Sequence, residues 1–212
     1  MLTNKDGLWI RYFGFLAVVF ILLGCGNSSD NQTTQQQKQE KSSNLSGVSL
    51  KTFPFKNIIN ENRKTVHNSK VQGQVSVLTF LYTRCPWDYM CPSISKHLID
   101  FQQRLSENRY DDVQIIVITL DPDHDSPDVL IQYEKTIGAH PALWNFWHAP
   151  ESVLETWLGK LDIPRSESGR RIDHGMKTFV IDRSGTIQKI HQGSKWTGKD
   201  IMQSVNQVTE DA

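Results

Sequence analysis

The sequence predicts an α/β sandwich, with a central mixed β-sheet flanked by helices. Three observations carry this prediction. Val75 to Tyr82 (VSVLTFLY) and Val113 to Leu120 (VQIIVITL) are dense β-branched and aromatic runs that read as buried central strands. Each run is followed by a segment with helical periodicity, so strand and helix alternate. A hairpin signal and a last amphipathic stretch close the chain.

The elements follow in order. Folding is expected to begin near Leu50. Phe53 to Ile59, a turn at Asn60-Glu61-Asn62 and Lys64 to Val66 read as a short hairpin. After the first central strand, Ile94, Leu98, Phe101 and Leu105 mark one apolar face of a helix over Pro92 to Asn108. Ser126-Pro127-Asp128 combines a capping Ser, a Pro at the first helical position and an acid in the first turn. That helix runs to Ile137, and Gly138 stops it. Trp144 to His148 is a short strand and Glu151 to Leu161 a helix. Thr178 to Asp182, the turn Arg183-Ser184-Gly185 and Thr186 to His191 form the hairpin. Lys199 to Val208 is the closing helix. This order is similar to that of the thioredoxin architecture. Trp144, Trp147, Trp157 and Trp196 belong to the core or a pocket rim.

Three parts are expected along the 212 residues: a signal peptide over 1–24, a lipidated Cys25 with a polar linker over 25–48, and a folded domain over 49–212. Lys5 and Arg11 precede an apolar run, Phe13 to Leu23, that is too short to span a bilayer. The run ends in Leu22-Leu23-Gly24-Cys25, which resembles a bacterial lipobox, in which the chain is cleaved before the cysteine and that cysteine carries lipid. An uncleaved anchor is the alternative. Residues 26–47 are rich in Asn, Ser, Gln and Thr and cannot bury a core, so they read as a tether. The domain would face the extracytoplasmic side of the cell envelope, where disulfides persist. Lys and Arg total 23, Asp and Glu also 23; a net charge of zero argues against a nucleic-acid binder with a broad basic surface.

With Cys25 assigned to lipid, only Cys85 and Cys91 remain. Each precedes a proline, which disfavours helical backbone before it, so both are expected just outside the helix that follows. Two thiols between a strand end and a helix mouth suggest metal or redox chemistry; a plain structural disulfide is the alternative. Six residues apart on a helix they would diverge, so they meet only if Pro86 to Met90 fold back. Cys91 at the helix start, with Arg84 nearby, is expected to favour a thiolate. Two thiolates seldom complete a metal site. Of seven histidines, His174 stands out, in a loop just before the strand Thr178 to Asp182.

Three motifs in order then resemble the Sco/SenC family of copper proteins: Phe80-Leu81-Tyr82-Thr83-Arg84-Cys85-Pro86; Asp121-Pro122-Asp123-His124-Asp125-Ser126-Pro127; and Asp173-His174 followed by Phe179-Val180-Ile181-Asp182. The resemblance covers Leu50 to the C-terminus. It implies a thioredoxin-like fold that binds copper, Cu(I) or Cu(II), through Cys85, Cys91 and His174, with Asp173 as a neighbour that orients the ring. Thiolates suit Cu(I), and imidazole accepts both oxidation states. One departure is the five residues between the cysteines, where most members carry three; it resembles a branch with a longer loop. Met90 and Met176 read as packing residues, and Asp121 and Asp125 as loop and capping residues. The implied partner is the copper-containing subunit of a haem–copper (cytochrome c) oxidase, to which the protein would deliver copper or whose cysteines it would reduce. Two alternatives stand beside it. One is an enzyme, a thiol–disulfide oxidoreductase or thiol peroxidase using Cys85 and Cys91 as a redox pair. Against it stand the absence of C-x-x-C spacing and Lys177 where thioredoxins carry a cis-proline. The other is a non-catalytic lipoprotein stapled by the disulfide.

Overall fold

The computed structural model describes residues 45–108 and 112–210. Cys25 and the expected signal peptide lie outside the described residues.

The two densest apolar runs form the middle of a six-stranded sheet. β2 (Val75–Leu81) and β3 (Val113–Thr119) are buried at every position, because helices or loops cover both of their faces. They pair in parallel from Val75 opposite Val113 to Leu81 opposite Thr119. The crossover between them is α1 (Cys91–Asn108). A second crossover, α2 (Pro127–Ile137), leads to β4 (Trp144–His148), which pairs in parallel with β3. The predicted caps of α2 are present: Ser126 Oγ accepts the Val129 N–H, and Gly138 ends the helix at φ 75°.

On the other side of β2 the pairing is antiparallel. β7 (Lys177–Ile181) lies against β2, and β8 (Ile187–Gln192) returns along β7. The sheet order is therefore β1-β4-β3-β2-β7-β8, with β1 (Ile59–Asn60) antiparallel to β4 at the far edge. The short hairpin predicted before β2 is real but small: Ile59 bridges Thr65, while Phe53 and Phe55 approach it in irregular backbone. α3 (Glu151–Lys160) follows β4, and α4 (Gly198–Glu210) packs on α1. This mixed sheet flanked by helices is the thioredoxin-like sandwich expected.

Packing begins earlier than Leu50. Leu45 is buried in the core, and Gly47 and Val48 exchange backbone hydrogen bonds with Ile187 on the outer edge of β8. The four expected tryptophans are all buried; Trp157 Nε1–H donates to the Pro54 carbonyl, which pins the irregular entry segment to α3.

A second, two-stranded sheet was not expected. β5 (Arg165–Ser168) and β6 (Arg171–His174) form an antiparallel hairpin between α3 and β7. Its strands are polar, and Ile172 is its only buried residue. Arg165, nearly buried itself, ties the hairpin to the scaffold: it donates to the Leu120 carbonyl and pairs with Glu151, Glu155 and Glu167. Among the described residues no helix is long and apolar enough to cross a membrane.

Candidate metal centre

The inter-cysteine loop folds back through two turns. Cys85 N–H bonds the Tyr82 carbonyl, Met90 N–H bonds the Trp87 carbonyl, and α1 then starts with Ile94 N–H on Met90 O. This return brings the two thiols near enough to perturb each other, and both are free. Cys91 is the first helical residue instead of lying outside the helix. Its side chain turns into the core and is 1 % exposed, whereas Cys85 is half-buried at the surface.

The two thiols are therefore unequal, and in the opposite sense to the sequence expectation. The neighbouring Cys91 thiol and the Trp87 and Cys91 backbone amides favour the Cys85 thiolate. Against the opposing effect of burial, they bring its pKa down to about 6. The Cys91 thiol is pushed up, first by the neighbouring Cys85 sulfur and then by burial. The amide at the mouth of α1 thus acts on both sulfurs, and at Cys91 it is outweighed. Arg84 is engaged elsewhere: its guanidinium forks onto Asp121, Nε to Oδ2 at 2.6 Å and a terminal nitrogen to Oδ1 at 3.2 Å.

His174 is the last residue of β6, not part of a loop, and its Nε2 lies 3.9 Å from Cys91 Sγ although the residues are 83 apart in sequence. A metal about 2.3 Å from a sulfur and about 2.0 Å from a nitrogen holds those atoms about 3.5–3.8 Å apart at tetrahedral to trigonal angles. The observed spacing needs only a few tenths of an ångström of adjustment. His174 Nδ1 lies 3.1 Å from the Gly175 carbonyl, which assigns the ring proton to Nδ1 and leaves the Nε2 lone pair toward the sulfur. Burial lowers the His174 pKa, partly opposed by that carbonyl, so the ring is kept neutral as a ligand must be. Asp173 does not orient the ring. Alternation along β6 sends its carboxylate the other way, to Arg171 at 2.9 and 2.8 Å.

The strand carrying His174 is fixed by Tyr82. Its hydroxyl donates to the Ile172 carbonyl at 3.2 Å and accepts the Ile172 N–H at 3.3 Å, and its ring meets His174 edge-on at 6.2 Å. Burial raises the Tyr82 pKa to about 12, so the hydroxyl keeps its proton. Behind His174 opens a cleft of about 630 Å³ lined by Leu158, Ile163, Pro164 and Met176. Lys177 sits on its wall, where its ammonium binds the Leu161 and Asp162 carbonyls and closes the end of α3. Met176 is thus a packing residue of the cleft and Met90 is buried.

Asp121, His124 and Asp125 also gather ligand-type atoms within 4.8 Å. Both carboxylates are occupied by protein donors. Asp121 holds Arg84, and Asp125 accepts from Thr83 N at 3.0 Å, Thr83 Oγ1 at 2.5 Å, Thr119 Oγ1 at 2.6 Å and His124 Nδ1 at 3.0 Å. Asp125 is more than a cap: it anchors the turn that presents Cys85. No local signal at Thr83 or Thr119 announces this hub.

A thioredoxin-like domain with two thiols and an imidazole at the strand–helix junction is the class these features define. The SCO1/SenC family model matches residues 48–210, and the chain belongs to that family. A SCO2-like protein of Rickettsia prowazekii is 28 % identical over 156 residues, covering 71 % of this chain and 73 % of the relative. Among solved structures, Arabidopsis thaliana ScoI with copper bound has a TM-score of 0.63 at 20 % identity, covering 73 % of this chain and 96 % of that one. BsSco, described as a member of the Sco family of cytochrome c oxidase assembly proteins with a disulfide switch, has a TM-score of 0.61 at 23 % identity, covering 70 % and 88 %. At these identities the structural likeness establishes the fold.

Proposed function

We propose that this chain is a lipid-anchored, extracytoplasmic copper-binding protein that serves assembly of the copper site of a haem–copper oxidase. Cys85, Cys91 and His174 hold the metal, and Cys25 carries the lipid. The single observation behind this reading is the approach of two donors from distant segments, Cys91 Sγ and His174 Nε2, to 3.9 Å, with Cys85 as the neighbouring thiol. The donor set fits copper in both oxidation states. Two thiolates favour Cu(I), and the neutral imidazole holds on when the ion is oxidised. The reduced full-length chain should take up about one copper ion per molecule. His174→Ala should sharply weaken Cu(II) binding and change the paramagnetic resonance spectrum. An unchanged spectrum removes His174 from the site.

The inequality of the thiols favours a second role for the same pair. Cys85 is the accessible, acidic sulfur and Cys91 the buried, protonated one. The Cys85 thiolate attacks a partner disulfide, forming a mixed disulfide and releasing one partner thiolate. Cys91 then gives up its proton and attacks the Cys85 sulfur. That frees the second partner thiolate and leaves the Cys85–Cys91 disulfide, two electrons having passed to the partner. Cys91→Ser should trap the mixed disulfide on Cys85. Trapping on Cys91 in the Cys85→Ser variant, and none on Cys85, refutes this order.

A further inference from the structure

The five residues between the cysteines do more than join them. Trp87, the second residue of the return, faces the guanidinium of Arg171, whose Cζ lies 5.4 Å from the ring centroid. Arg171 opens β6, the strand that ends in His174, and through Nε and a terminal nitrogen it also grips Asp173 on the same strand. Tyr89 lies against Trp87 at 5.9 Å on its outer side and is itself 63 % exposed.

Three of the contacts that hold β6 bear on the placement of His174. Arg165 stands opposite His174 in the hairpin and is fixed to the Leu120 carbonyl. Tyr82 binds both backbone groups of Ile172. These two come from the scaffold. The third, Trp87 on Arg171, comes from the segment that separates the two sulfurs.

We propose that Trp87 and Arg171 form a clasp through which the inter-cysteine loop positions His174 against Cys85 and Cys91. Both are positioning residues. The clasp ties the loop to the hairpin, so the sulfurs and the imidazole are carried as one unit. The proposal rests on the copper-binding reading for its consequence, but not for its geometry. The longer loop supplies the aromatic face that reaches the hairpin.

The test uses the reduced full-length chain and the variants Trp87→Ala, Trp87→Phe, Arg171→Leu and the Trp87→Ala/Arg171→Leu double variant. Two readouts are needed. In the metal-free protein, hydrogen exchange at the amides of residues 171–174 should quicken about two- to fivefold in Trp87→Ala, the effect of losing a half-exposed cation–π contact, while β2 and β3 amides stay unchanged. Cu(II) affinity, measured by competition, should fall by a similar factor with a shifted paramagnetic resonance spectrum. Cu(I) affinity, held mainly by the thiolates, should change less. Trp87→Phe keeps an aromatic face and should restore most of both readouts. The double variant should lose no more than the worse single one, because each removes the same contact. Exchange at residues 171–174 equal to wild type in Trp87→Ala overturns the clasp. So does failure of Trp87→Phe to rescue, or additive losses in the double variant. If wild type binds no Cu(II), the copper reading fails, and exchange in the metal-free chain still decides the clasp.

Discussion

Replacing Asp125 should loosen Cys85 more than any change at an exposed residue of the site. The carboxylate is completely buried, and four donors converge on it. Oδ2 takes the Thr83 N–H and the Thr119 hydroxyl; Oδ1 takes the Thr83 hydroxyl and His124 Nδ1. In Asp125→Ala the hydroxyls can turn to other acceptors and half-exposed His124 can turn to water, but the Thr83 amide keeps no partner. Charge-assisted hydrogen bonds are each worth about 1.5–3 kcal/mol, so losing the two buried ones on Oδ2 costs about 3–6 kcal/mol. For a domain of this size, that lowers Tm by about 6–24 °C. Asp125→Asn behaves differently. With its carbonyl in the Oδ2 place, the Thr83 amide and Thr119 keep their acceptor. Its NH₂ then meets the Thr83 hydroxyl and the His124 ring, and both can switch to accepting. The cost should be about 1–2 kcal/mol, or about 2–8 °C. Thermal unfolding of the reduced chain, followed by circular dichroism, measures both. Alkylation kinetics at Cys85 should change in Asp125→Ala, because the Thr83-Arg84 turn no longer has a fixed anchor. A Tm for Asp125→Ala within about 2 °C of wild type, or an Asn variant as damaged as the Ala one, refutes the hub.

Four further outcomes follow from the same geometry. Alkylation of Cys85 by iodoacetamide should rise through pH about 6 and level off by neutral pH, and Cys91→Ala, which removes the first donor to that sulfur, should move the inflection upward. The lowered Cys85 pKa stabilises the fold fully above the ordinary thiol range, and this gain is lost as pH falls through about 6. The reduced chain should therefore grow more stable from pH 6 toward 8, and Cys85→Ser should flatten that slope in denaturant titrations. Gly175→Ala should displace the end of β6, since an added Cβ would stand 2.8 Å from Pro164 Cδ and 3.2 Å from Cγ, both in a rigid ring; calorimetry should record a loss of about 1–3 kcal/mol, with weakened Cu(II) binding. Tyr82→Phe leaves both backbone groups of Ile172 without their partner, so unfolding should lose about 1–3 kcal/mol and exchange at Ile172 should quicken.

What the sequence made legible divides by physical range. β2, β3 and the caps of α2 were readable because their signals are local: saturated apolar runs, a Ser-Pro-Asp start and a stopping Gly. The β5–β6 hairpin was not, because two charged strands with one buried Ile172 carry no alternating pattern. That hairpin bears His174, which stood out among the histidines by its place before a strand and which the motif resemblance then named as a ligand. Arg84 misled for a related reason. Its charge stands next to Cys85 in sequence, but a carboxylate 37 residues away captures it. Asp173 is adjacent to His174 along the chain and opposite to it across the strand. Neighbourhood in sequence overstates neighbourhood in space whenever a strand alternates.

The longer spacing between the cysteines needs no compensation from a distorted fold. A helix start has free amides whether or not its first side chain uses them. Here the Cys91 thiol and amide favour the Cys85 thiolate while the Cys91 sulfur is hidden in the core, so one thiolate is stabilised and one thiol held in reserve. Had both sulfurs been exposed and equally acidic, two like charges would face each other without a metal, and the pair would repel or close into a disulfide. The asymmetry supplies what a site that accepts and releases a soft cation needs: one open donor that meets the ion first, and a second that joins only after losing a proton. Metal uptake should therefore release close to one proton between pH 7 and 8, from Cys91, since Cys85 is largely ionised already. Calorimetry of Cu(I) binding in buffers of different ionisation enthalpy counts that proton. A value near two would mean that both sulfurs are protonated in the free protein and that the inequality of the pair is wrong.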